Sequence, residues 1–85
     1  MKWTVIWQPS TINALATLWN VGPDRAAVAA AADEIDRTLQ HNPHTQGESR
    51  EGDRRILVCE PLAVYFRVIA QDRQVFVDVV WRSRL

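Results

Sequence analysis

The stretch VYFRVIAQDRQVFVDVVWRSR, Val64 to Arg84, decides the fold. It is too long for one strand of ordinary length, and it contains almost no turn residues. From Leu62 the even positions Leu62, Val64, Phe66 and Val68 are apolar, and further on so are the odd positions Val75, Val77, Val79 and Trp81. A hairpin sets all eight on one face only if even positions oppose odd ones. The loop then holds two residues (Gln71-Asp72) or four (Ala70 to Arg73). An odd loop would carry Asp78 into the core, because a one-residue slip turns every side chain over. The second face presents Ala63, Tyr65, Arg67 and Ile69 opposite Val80, Asp78, Phe76 and Gln74. In this register Tyr65 faces Asp78 and Arg67 faces Phe76. A supporting hairpin needs one buried face, so the mixed polar and aromatic face is where a function can sit.

Upstream, RRILVCE (54–60) reads as a further strand, with a turn or bulge at Pro61. Before it, HNPHTQGESREGD (41–53) is polar and forms a loop of 13 residues, a length that usually signals function or mobility. At the N-terminus Trp3, Val5 and Trp7 alternate with polar or mixed positions, which predicts a short strand ended by Pro9. Ser10 or Thr11 is then placed to cap a helix over 10–20, with Ile12, Leu15, Ala16 and Trp19 at helical spacing and Gly22-Pro23 as its stop. Asp24 opens a second helix with the stripe Val28, Ala31, Ala32, Ile35 and Leu39, and an Asp33–Arg37 pair at i,i+4. The short link predicts an antiparallel helical hairpin. The expected fold is α+β: an N-terminal strand, a helical hairpin and an antiparallel three-stranded meander (β-α-α-β-β-β), in one domain over 1–85.

The formal net charge is zero, so whole-chain electrostatics give no argument for nucleic acid. Residues 1–60 carry six basic and eight acidic side chains, and residues 61–85 carry four Arg and two Asp, a small local basic bias. The single Cys59 excludes an internal disulfide and fits a reducing compartment. MKWTVIWQPS has no apolar signal core, and no stretch approaches a membrane span, so a cytoplasmic protein without a membrane partner is expected.

This order of elements, with Asp33-Glu34-Ile35-Asp36, Leu39, Pro43, Gly47, Arg55-Ile56-Leu57, Pro61-Leu62-Ala63-Val64, Val64-Tyr65-Phe66-Arg67-Val68 and Asp72-Arg73-Gln74-Val75, resembles the RelE/ParE superfamily of type II toxin–antitoxin toxins, or plasmid stabilization proteins. The resemblance covers nearly the whole chain. It implies a small sheet packed on a helical hairpin and a cognate antitoxin as partner. It also implies mRNA on the ribosome as target, cleaved as by an endoribonuclease (mRNA interferase), or else a non-nuclease member of the same fold, either directed at DNA gyrase or a degenerate module that only binds protein. The third-strand Arg of the better-known nucleases aligns with Ala63, and the one lysine here is Lys2.

RNA cleavage by 2′-hydroxyl attack requires a proton acceptor, charge stabilisation on phosphate and a proton donor. An arginine fork matches phosphate oxygens. Arg67, with Arg82 on the same face by parity, is the candidate for that role, and Tyr65 for base stacking or proton transfer. Without catalysis, the same face reads as Arg67 lying on Phe76 and Tyr65 bonded to Asp78. Arg54, Arg55 and Arg84 are candidates for binding RNA phosphates, and His41 and His44 join them as RNA-binding candidates. His41 and His44 suit acid–base work by pKa, and equally suit a helix C-terminus. No Cys, His or acidic cluster suggests a metal site, no glycine-rich phosphate loop occurs, and no cofactor is expected. Cys59 reads as a core residue.

Overall fold

The computed structural model describes residues 2–50 and 52–83. Strand β1 (Thr4–Trp7) leads into helices α1 (Pro9–Val21) and α2 (Arg25–Leu39). Strands β2 (Glu48–Ser49), β3 (Arg54–Cys59), β4 (Leu62–Ile69) and β5 (Gln74–Arg82) follow. They form one sheet in the order β1-β5-β4-β3-β2. The expected α+β architecture is present, with a mixed rather than purely antiparallel sheet. β1 pairs parallel to β5, from Thr4–Gln74 to Trp7–Val77, and the chain between these neighbours runs through both helices and strands β2 to β4.

One face of the sheet is buried under the helices. Val28, Ala31, Ile35 and Leu39 of α2 pack over Leu62, Val64, Phe66, Val75 and Val77, and most of these are fully buried. Trp3, Val5, Trp7, Leu15 and Val68 close the margin, half-buried. The α2 stripe follows the sequence spacing, with Ala32 at its edge. Trp7 satisfies its indole N–H by donating to Asp36, at 3.2 Å.

Two helix details differ from expectation. α1 begins one residue earlier, with Pro9 in its first turn, where its missing N–H costs nothing. Thr11 therefore lies inside the helix and is 2% exposed; its hydroxyl donates to the Asp78 carbonyl at 2.6 Å. On α2, Arg37 pairs with Glu34 at 2.6 Å rather than with Asp33.

The 41–53 segment is not a featureless loop. A 3-10 turn at Pro43–Thr45 precedes β2, which pairs antiparallel with β3. Arg55 holds this segment by donating to the Gln46 and Gly47 carbonyls at 2.7 and 3.2 Å.

The β4–β5 hairpin has a four-residue loop, Ala70 to Arg73, so Ile69 opposes Gln74, Arg67 opposes Phe76 and Phe66 opposes Val77. Asp78 and Phe66 lie on opposite faces, as required. The register then shifts between Tyr65 and Phe66, so that Tyr65 opposes Val79, not Asp78. Asp78 is the extra residue of a β-bulge, and every later β5 side chain is turned over. Val80 is 6% exposed in the core, whereas Val79, expected there, is 46% exposed. Trp81 moves with Val79 to the open face. The cause is a single inserted residue whose carbonyl, held by Thr11, leaves the β4 ladder.

Candidate functional site

The open face is laid out by strand register. Arg54 on β3 lies beside Arg67 on β4, which lies beside Phe76 on β5. The next row is Ile56, Tyr65 and Val79, and the one after is Val58, Ala63 and Trp81. The face therefore has a charged half and an apolar half. A hollow of about 330 Å³ lies at their boundary, lined by Arg54, Tyr65, Arg67, Asp78 and Val79.

Arg67 is committed to Asp78. Its Nε donates to one carboxylate oxygen at 2.5 Å and its Nη2 to the other at 3.1 Å. The guanidinium also lies over Phe76, 5.2 Å from the ring centre. The Asp78 hydrogen bond raises the Arg67 pKa above its ordinary value. Gln8 adds a third donor to Asp78 at 3.3 Å. Tyr65 does not bond Asp78; its ring lies 5.2 Å from that of Trp81, tilted by 52°.

The remaining expected site residues are dispersed. Arg82 is on the helix side of the sheet, where it donates to Asp24 at 2.8 and 3.3 Å. Its expected proximity to Arg67 is overturned by the bulge, which reverses the parity on which that expectation stood. The same pair holds the Asp24 carboxyl below its ordinary range. Arg55 points toward the loop carbonyls described above. His44 stands edge-on to Trp3 at 5.1 Å, and it lines a second hollow with Arg54, Arg55 and Asp53. His41 is exposed and is absent from both hollows. Arg84 lies outside the described residues. Among the described residues no group of three His, Cys, Asp or Glu could hold a metal ion. Burial pushes the Cys59 thiol pKa up, away from nucleophilic use. No described helix is long and apolar enough to cross a membrane.

No protein-family model and no curated protein matches this sequence. Solved structures do match. The chain is similar to the chromosomal ParDE toxin–antitoxin system of P. aeruginosa, with 19% identity and a TM-score of 0.75 over 98% of each chain. It is also similar to the RelBE2 toxin–antitoxin complex of Mycobacterium tuberculosis, with 16% identity and a TM-score of 0.74, over 96% of this chain and 92% of that one. The archaeal RelE–RelB complex of Pyrococcus horikoshii gives 17% identity and a TM-score of 0.68 over the whole of both chains. The chain has the RelE/ParE fold.

Among the described residues the open face of this RelE/ParE fold carries Arg54 and Arg67, the latter already neutralised by Asp78, and an apolar patch. Sequence reasoning missed Asp78, Val79 and Trp81 as a unit. The available signal was the pair Val79-Val80, which breaks alternation directly after Asp78.

Proposed function

We propose that the chain is the toxin component of a toxin–antitoxin pair, acting in the cytoplasm as one domain and held inactive by a cognate antitoxin. The observation that carries this reading is the RelE/ParE fold, shared over the whole chain. A second feature supports the partner. A groove of about 400 Å³ between the helices is lined by Ile12, Leu15, Trp19, Val28 and Ala32. Ile12 and Trp19 are 52% and 41% exposed there. An amphipathic antitoxin helix can lay its apolar face in such a groove.

The target reading favoured is a protein, with DNA gyrase the one the resemblance implies. A nuclease needs an arginine fork open to phosphate and a group able to move a proton. Here the Arg67 fork is filled by a carboxylate, Arg82 is on the far side of the sheet, and neither histidine lines the Arg67 hollow. The mRNA-cleaving reading keeps two supporting observations, the adjacency of Arg54 and Arg67 and the place of Tyr65 in the same hollow.

Inducible expression in a bacterial host tests the proposal. We expect growth arrest, relieved by co-expression of a small reading frame adjacent to the gene, with gyrase-trapped DNA breaks and unchanged mRNA 5′ ends. Absence of arrest would remove the toxin assignment. New mRNA 5′ ends, lost in Arg67→Ala, would transfer it to the endoribonuclease class.

A further inference from the structure

The bulge at Asp78 decides what the open face offers. With a regular β5, Asp78, Val80 and Arg82 would end that face, and Val79 and Trp81 would enter the core. The inserted residue reverses this. Arg82 leaves for Asp24, and Val79 comes out, 46% exposed, one row from Val58, which is 56% exposed. The tilted Tyr65–Trp81 pair lies between them. Adjacent strands are spaced about 4.8 Å apart, so these side chains form one continuous patch rather than scattered exposures. Bulges re-aim side chains next to functional sites.

We propose that this apolar half of the open face docks a protein segment bearing aliphatic side chains and a carboxylate, with the carboxylate meeting Arg54. The inference rests on the protein-directed reading above for the partner's class, and it specifies that partner's chemistry. Charge complementarity points to the acid. Arg37, Arg50, Arg67 and Arg82 each have a carboxylate partner. Among the described residues Arg25, Arg54, Arg55 and Arg73 have none; Arg25 lies over Trp19, Arg73 over Trp3 and Arg55 holds the loop carbonyls, which leaves Arg54, at the rim of the patch. The aliphatic content points to protein rather than single-stranded nucleic acid. Bases stack on flat aromatic or guanidinium faces along an uncompensated basic track. Tyr65 and Trp81 pack against each other rather than standing as open platforms, Val58 and Val79 offer no flat face, and Asp78 cancels Arg67. An aromatic and aliphatic patch with one arginine on its rim has the composition of a protein hot spot.

The test selects short random peptides, displayed on phage, on the immobilised full chain, and then measures binding of the selected peptides by fluorescence anisotropy. Enriched peptides are expected to combine Val, Leu or Ile with Asp or Glu. Val79→Arg should weaken them by about tenfold or more, and Val79→Ser serves if the arginine variant misfolds by circular dichroism. Ile12→Asp, in the helical groove, should leave them unchanged. Arg54→Glu should reverse the preference from acidic to basic peptides. The proposal is overturned by no enrichment over a blank surface, by peptides indifferent to both Val79 variants, by no charge reversal at Arg54, or by displacement with a single-stranded RNA oligonucleotide. Growth arrest without peptide binding sinks this inference alone, and peptide binding without arrest sinks the toxin reading alone.

Discussion

Asp78 is tied to three elements at once. Its carboxylate takes Arg67 of β4 and Gln8 at the end of β1, while its carbonyl takes Thr11 of α1. Removing Arg67 leaves a half-buried carboxylate with one weak donor. Arg67→Ala is therefore expected to cost about 1–3 kcal/mol, more than an ordinary surface change. In a double-mutant cycle with Asp78→Ala, the coupling should be of order 1 kcal/mol, since the pair is bidentate yet water-accessible. Urea unfolding of the four proteins measures both, and zero coupling would mean that the pair is incidental. Asp24 gives a pH prediction. The Arg82 hydrogen bond lowers its folded pKa. Its contribution to stability is then complete above the unfolded carboxylate value of about 3.9 and is lost as pH falls through the lower folded value. Asp24→Asn should flatten stability across that acid window and lower it at neutral pH. A pH series of melting temperatures identical to wild type would refute this.

At the scale of elements, the β2–β3 hairpin is held by glycine geometry. Gly47 and Gly52 both have positive φ, 67° and 69°. A Cβ on Gly47 would stand 2.0 Å from the Ile56 carbonyl oxygen, whereas one on Gly52 would meet nothing. Gly52→Ala should cost only the left-handed backbone penalty of about 1–2 kcal/mol. Gly47→Ala should cost more, because the clash is with backbone and β2 must leave β3. For a chain of this size each kcal/mol moves the melting temperature by about 4–8 °C. Equal shifts for the two variants would show that β2 pairing contributes little.

The whole molecule is a sheet with two different faces, helices on one and the mixed charged and apolar surface on the other. The core between helices and sheet is small, and a domain's net stability is about 5–15 kcal/mol. Phe66, fully buried at the centre of β4, should cost about 3–5 kcal/mol on truncation to Ala. We expect Phe66→Ala to be partly unfolded at growth temperature by circular dichroism. The two faces also predict separable functions. Ile12→Asp, on the helix side, should weaken antitoxin binding by about tenfold or more while leaving growth arrest intact, so co-expression no longer protects. Loss of arrest in a folded Ile12→Asp protein would place the target on the helical face.

Alternation in Val64–Val68 and Val75–Val77, the Val28–Leu39 stripe and the breakers at Pro9, Gly22-Pro23 and Pro61 are local signals, and they alone determined the element order, the helix-covered face and the first half of the hairpin register. They act within a few residues, where steric and burial preferences are written directly in the chain. What tertiary structure decided lies beyond that range. β1 docks beside β5, some seventy positions away in sequence (Thr4 with Gln74), and a pairing of that separation leaves no local trace. At the bulge, Thr11 and Gln8 reach Asp78 from 67 and 70 positions away. Because side-chain direction has a period of two, that one long-range event moved Val79 and Trp81 to the surface and Arg82 to the helices. The contents of the candidate site were therefore set by packing between distant segments, while its location on the hairpin's second face was already readable in the alternation.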